Sequence, residues 1–133
     1  MQFFLPMIPP TATHQQKGIR VQNGKPVVYE KERVTVARAK LAAHLTAHRP
    51  PEPLTGPLRL VVKWCFPAGK HPDGTYKPTR PDTDKLNKLL QDVMTDLHFW
   101  KDDAQVASEI IEKFWAEVPG IWIRVEQLEK GEA

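Results

Sequence analysis

Cysteine is nearly missing from this chain. Cys65 is the sole thiol in 133 residues, which excludes an internal disulfide and any zinc site built from several cysteines. Lying inside the apolar run Leu60 to Phe66, it reads as buried packing rather than as a reactive group. Long apolar runs are missing too. The opening stretch Met1 to Pro10 is short and carries no basic leader, so neither a secretory signal nor a membrane span is expected, no membrane partner follows, and the cytoplasm is the expected compartment. A large charge of either sign is also lacking: 19 Lys and Arg against 16 Asp and Glu leave a formal net charge of +3, which permits a polyanionic partner without demanding one. No internal repeat or low-complexity tract appears, which excludes a repeat architecture.

Proline is what the chain has in plenty. Thirteen prolines interrupt helices and central strands, so connections should be numerous and stiff. A hydrophobic content of 41% with 26% charged residues supports a packed core, and the length suits a single domain spanning residues 1–133.

Along the chain, Gln2 to Ile8 is apolar and closed by Pro9-Pro10, which suits an edge strand. Gly18 to Gln22 and Pro26 to Glu30 flank Asn23-Gly24, a hairpin signal. Glu30 to His48 contains no Gly or Pro and repeats apolar residues at helical spacing through Val34, Ala37, Leu41 and Leu45. The proline-rich Arg49 to Pro57 ends that helix, and Leu58 to Phe66 reads as a buried strand. Pro67 to Pro81 is a basic loop. A second helix is indicated over Asp84 to Leu97, with Asp84 as N-cap and Leu86, Leu89, Leu90, Val93 and Leu97 as its apolar stripe. Past the turn His98 to Asp103, two strands over Ala104 to Trp115 and Ile121 to Leu128 are expected to form a hairpin through Pro119-Gly120. This order predicts an α+β fold: a small mixed β-sheet with two main helices packed on one face.

Chemistry concentrates in Arg80-Pro-Asp-Thr-Asp-Lys-Leu-Asn-Lys-Leu-Leu-Gln-Asp92 and in Asp102-Asp103. Pro81 biases the chain away from helix before Asp82, so Asp82 and Asp84 are expected to share a face across an extended step. Two such carboxylates suit a hard divalent cation that prefers oxygen ligands. Asp102-Asp103 opens the strand after the helix, and a helix-and-return geometry would bring it beside them. Converging acidic groups could then hold one or two cations that activate water and stabilise charge on a phosphoryl group. Lys88, one helical turn beyond Asp84, would project from the same helix side and could clamp the phosphate. Each motif alone has an ordinary reading: a helix cap, an exposed ion pair, a solvated turn. The combination carries the information.

That combination resembles the RusA family of Holliday junction resolvases, through Arg80-Pro81-Asp82-x-Asp84-x-Leu86-x-Lys88, then Asp92, then Phe99-Trp100-x-Asp102-Asp103-Ala104-Gln105-Val106. Thr13-His14-Gln15, Lys17, Asn23-Gly24-Lys25-Pro26 and Tyr29 look like the phage-type members found in bacterial genomes. The resemblance implies a RusA-like fold and resolution of four-way DNA junctions by hydrolysis to a 5′-phosphate and a 3′-hydroxyl, in recombination and repair. It also implies a homodimer acting on branched DNA. By position, Asp82, Asp84 and Asp103 would hold Mg2+, with Mn2+ as a possible substitute, Asp102 would be a secondary acidic neighbour and Lys88 the catalytic lysine. Lys85 departs from the family pattern, which generally has Asn there.

Lys70, His71, Lys77 and Arg80 on the loop entering the acidic segment, with Lys63 near it, are candidate DNA contacts that would offset repulsion between carboxylates and phosphates. Lys17, with Arg20 and Lys25, forms a second candidate patch. Whether His14 and Gln15 approach DNA is open. His44 and His48 lie four residues apart, too few ligands for zinc. Trp64, Trp100, Trp115 and Trp122 read as packing residues, with Trp100 worth watching beside Asp102-Asp103. Two rivals stay open at this point: a junction-binding phage accessory protein that does not cleave, and a metal-dependent phosphohydrolase acting on small substrates.

Overall fold

Strict alternation fixes how the central strand faces. In Leu58–Pro67, Leu58, Leu60, Val62, Trp64 and Phe66 are buried, while the residues between them are half-buried and point to the opposite face. The computed structural model describes residues 1–11, 19–22 and 25–129, with side chains described at 1–11 and 32–129. Its elements are β1 (Gln2–Leu5), β2 (Ile19–Gln22), β3 (Lys25–Val28), α1 (Tyr29–Leu45), β4 (Leu58–Pro67), α2 (Thr83–Asp96), β5 (Val106–Ala116) and β6 (Gly120–Gln127), with 3-10 turns at Thr46–His48 and Asp103–Gln105. The expected turn at Asn23-Gly24 lies outside the described residues, although β2 and β3 do pair antiparallel as a separate ribbon.

The main sheet is mixed, in the order β1-β6-β4-β5, with β5 parallel to β4 and β6 antiparallel to both β4 and β1. The hairpin expected at Pro119-Gly120 is therefore wrong, because β4 lies between β5 and β6 and both of its edges are hydrogen-bonded. Gly120 serves a close approach instead: a Cβ there would stand 2.0 Å from Phe4 Cζ and 2.7 Å from the Leu5 carbonyl oxygen. The strand expected from Ala104 begins at Val106, since Asp103–Gln105 closes a 3-10 turn first.

One face of this sheet carries the core. The buried faces of β4 and β6, Leu5 of β1, the stripes of α1 (Val34, Ala37, Leu41, Leu45) and α2, and Phe99 and Trp100 form one cluster. The α+β architecture with both helices on one face is as the sequence predicts. Cys65 belongs to the other face and is half-buried, so enclosure in the core is not its environment. Burial still pushes its thiol pKa up, against the lowering effect of Lys63. Among the described residues no helix is long and apolar enough to cross a membrane.

α2 forms because Leu86, Leu89, Leu90, Val93 and Met94 recur on one side and are buried. Each contributes roughly 1.5–3 kcal/mol on burial, enough to fix the rotation of the helix and hence the side on which its polar residues emerge. The helix stops in a Schellman arrangement: the His98 amide donates to the Thr95 carbonyl and the Phe99 amide to the Met94 carbonyl, both at 3.0 Å. His98 has φ 64, the left-handed conformation usually given to glycine, and Phe99 closes the motif by burying its ring. The His98→Gly variant is accordingly expected to gain about 1 kcal/mol in urea denaturation by removing the Cβ clash. An unchanged or lower midpoint would show that His98 carries no strain.

Candidate active site

The segment entering α2 is held by two ammonium groups. Lys113 on β5 donates from Nζ to the Thr79 carbonyl and, at 2.7 Å, to the Pro81 carbonyl. Lys77 grips the Thr79 hydroxyl and, at 2.7 Å, the Arg80 carbonyl. The Arg80–Pro81 peptide is cis. Asp82 follows in extended conformation, φ −73 and ψ 143, and it is Asp82, not Asp84, that occupies the N-cap position. Helical geometry begins at Thr83 because Pro81 restricts only the residue before it, so the expected extended step from Asp82 to Asp84 does not exist. Asp82 accepts no cap hydrogen bond on its side chain, which is 56% exposed and faces Lys85 Nζ at 3.7 Å.

Helical spacing places Asp84, Asn87, Lys88 and Gln91 along one side of α2, where they meet Asp103 and Glu109 across a groove of about 360 Å³. Thr83 and Ile111 complete the lining. Asp84, Lys88 and Asp103 are thus brought together as expected, from the helix and from the turn that precedes β5. Asp82 stands outside the lining, one residue before Thr83. Lys88 is 76% exposed and pairs with Asp92 at 3.7 Å, while Arg38 of α1 holds the other Asp92 oxygen at 3.3 Å. An ion pair this open is worth at most about 1 kcal/mol, so the Lys88 ammonium can exchange Asp92 for an anionic ligand.

Asp102 has a different task. Its carboxylate accepts the Ala104 amide at 2.8 Å, and the Gln105 side chain accepts the Asp102 amide in return, a capping box that fixes the turn bearing Asp103. Gln105 also donates to the Leu54 and Gly56 carbonyls, both at 3.1 Å, tying that turn to the chain before β4. Asp102 lines a separate shallow depression with Arg38, Asp92 and Asp96, and Asp103 borders both.

The donors around the groove are carboxylate and amide oxygens, a set that matches a hard cation such as Mg2+, which keeps several waters and needs few direct protein ligands. Among the described residues no three Asp, Glu, His or Cys side chains stand close enough to ligate one ion directly. Water-bridged ligation across an open groove suits that spacing.

Of the loop residues expected to touch DNA, His71 stacks on Trp115 with ring centroids 4.0 Å apart, and Lys77 Nζ lies 4.4 Å from the Trp115 ring centroid and 5.2 Å from that of Phe66. Burial and then the charge of Lys113 lower the Lys77 pKa. These two brace the loop. Lys70 and Arg80 are exposed, and Lys63 lies over Trp122 on the sheet face opposite the core. Lys17, His14 and Gln15 lie outside the described residues. Trp100 is fully buried and donates to the Thr95 hydroxyl at 2.7 Å, which makes it a core residue.

Sequence reasoning missed Asn87, Gln105, Glu109 and Lys113 as parts of the site. Asp102-x-x-Gln105 is a capping-box spacing and could have been read. Glu109 and Lys113 lie in a run, Ser108-Glu-Ile-Ile-Glu-Lys113, whose alternation is too irregular to assign a face.

The family model for endodeoxyribonuclease RusA matches residues 7–126. The crossover junction endodeoxyribonuclease rusA of Lactococcus phage r1t is 36% identical over 97 residues, covering 71% of this chain and 72% of that protein. The uncharacterized protein YqaN of Bacillus subtilis (strain 168) is 26% identical over 131 residues, covering 90% of this chain and 91% of that one. Both the acidic helix start and the acidic turn fall inside the matched region of the family model.

The grip of Lys113 on the Thr79 and Pro81 carbonyls leads to a specific expectation. Lys113→Met keeps the aliphatic stem and removes both bonds, so it should cost about 0.5–1.5 kcal/mol and speed amide hydrogen exchange in the segment from Gly74 to Thr83 while leaving β6 protected. Unchanged exchange in that segment would show that Asp82 is positioned without Lys113.

Proposed function

The chain belongs to the RusA family of endodeoxyribonucleases, and from that membership we propose that it resolves four-way DNA junctions by hydrolysing phosphodiesters with a divalent cation, Mg2+ or Mn2+. One observation carries the reading: Asp84 and Lys88 from α2 and Asp103 from the turn before β5 border the same groove, although the helix and the turn are separate elements. Asp84 and Asp103 would hold the cation, with Asp82 at the helix entrance as a further carboxylate. The cation, when bound, lowers the pKa of its water and neutralises charge on the phosphoryl oxygens.

The chain's own groups supply orientation. Lys88, held only by its open ion pair with Asp92, donates to a non-bridging oxygen of the scissile phosphate and holds it over the groove. Water forms a new P–O bond opposite the 3′-oxygen and releases a proton to solvent, the P–O3′ bond breaks, and the 3′-oxygen takes up a proton from solvent, which yields a 5′-phosphate and a 3′-hydroxyl. Lys70 and Arg80, exposed on the loop that leads into the site, contact flanking phosphates. A homodimer would address the two symmetric strands of a junction with one groove each.

A synthetic four-way junction and a matching linear duplex, each with Mg2+ or with chelator, test this. Symmetric nicks confined to the junction and lost in chelator are expected. Asp84→Asn and Asp103→Asn should each reduce the rate by roughly 10²-fold or more, as removal of a group that stabilises transition-state charge does, while junction binding in gel shifts persists. Equal cutting of the duplex, or binding without cutting by the wild-type protein, would refute junction resolution.

A further inference from the structure

Asn87 is an anomaly in an otherwise apolar layer. It is 2% exposed, the sole polar residue among the buried side chains described, and neither its Oδ1 nor its Nδ2 has a hydrogen-bond partner. An amide buried in this state is costly, because it has given up water and gained nothing. A leucine at this position would extend the stripe formed by Leu86, Leu89 and Leu90 without that cost. The residue lines the groove, one helical turn from both Asp84 and Gln91.

Glu109 is the second unassigned group there. It reaches the groove from β5, where Gln91 Nε2 donates to its Oε1 and ties the strand carboxylate to the helix. With Glu109 counted, the groove presents three carboxylates, Asp84, Asp103 and Glu109, against the single ammonium of Lys88, which is itself shared with Asp92. Asp82 is turned to Lys85 outside that lining.

We propose that Asn87 and Glu109 are cation-binding residues of this groove. Glu109 contributes a third carboxylate that reaches the divalent cation through bound water, and the Asn87 amide oxygen accepts from that water, with Nδ2 left to donate to an adjacent carboxylate. The inference rests on the junction-nuclease reading for the identity of the cation as Mg2+ or Mn2+. Asn87 is thus kept polar at the expense of stability, and the cation satisfies it.

Mn2+ binding to the full chain, followed by electron paramagnetic resonance of the free ion and by the rise in melting temperature that Mn2+ causes, tests the proposal without relying on cleavage. Glu109→Gln is expected to weaken Mn2+ binding about tenfold or more, and Asn87→Leu about tenfold, the range seen when groups around a metal are removed. Asn87→Leu should lose most of the Mn2+-induced rise while melting, without cation, at or above the wild-type temperature. Asn87→Asp keeps an oxygen donor and should keep the rise. Mn2+ affinity unchanged in both Glu109→Gln and Asn87→Leu overturns the proposal, as does a wild-type protein that binds no Mn2+. A lower cation-free melting temperature in Asn87→Leu with unaltered Mn2+ affinity assigns Asn87 a structural role and overturns its part. Junction cutting by a wild-type protein whose variants bind Mn2+ normally removes this inference alone. Variant-sensitive Mn2+ binding in a protein that never cuts junctions supports the site and removes the junction reading.

Discussion

The parallel pairing of β4 with β5 is the constraint from which the site follows. Parallel neighbours cannot be joined by a tight turn, so the chain must leave the end of β4, cross the sheet and return to the start of β5. α2 is that crossover. Its buried stripe clamps it to the core, its polar side then overhangs β5, and the turn that returns the chain to the sheet carries Asp103. A groove with acidic groups from helix, turn and strand is the geometric result of one connection. The same pairing leaves β5 as an edge strand. That edge is covered by the loop after β4, where the Gly74 and Lys77 amides donate to the Trp115 and Lys113 carbonyls and Trp115 donates back to Thr75.

Apolar periodicity made α2 legible, because five buried residues on a 3.6-residue repeat leave one solution for its rotation, and with it the shared side of Asp84 and Lys88. The position of Asp103 followed from the helix-and-return argument for the same reason. Failures arose where long-range pairing overrides local signals. Pro119-Gly120 has the composition of a hairpin turn, yet the strand it leads into is claimed by β4 and by β1, and nothing within ten residues of the turn encodes that competition. Asp84 looked like a cap because the apolar stripe begins just after it. The N-cap in fact lies two residues earlier than that stripe implies, at Asp82, because Pro81 restrains Arg80 and leaves Thr83 free to enter the helix. Cys65 sits in an apolar run, but the alternation of β4 sends it to the face opposite the core, which no helix covers among the described residues.

Gln105 shows how much of a site is support. It makes no contact with the groove, yet it closes the capping box with Asp102 and ties the turn to Leu54 and Gly56. Asp103 is thereby presented from a short turn that would otherwise have few restraints. A paired-aspartate motif of this kind divides the work: the first carboxylate is spent on backbone amides, and the second is left exposed for a ligand.

The basic loop divides its charges in the same way. A cation that reads phosphate must be free to leave its protein partners, whereas one that fixes the backbone must not. Lys77 sits over two aromatic faces and holds a carbonyl, and its lowered pKa reflects partial burial beside Lys113. Its charge is therefore largely committed to the shape of the loop. His71, stacked on Trp115, is committed likewise. Lys70 and Arg80 have no such anchors among the described contacts and stay in solvent on either side of the braced segment. Lys70 and Arg80 are therefore the uncommitted charges of a braced loop, the state that a phosphate contact requires. The rigidity that Lys77 and Lys113 impose on the entry to α2 in turn fixes where the acidic side of the helix stands relative to those two free charges.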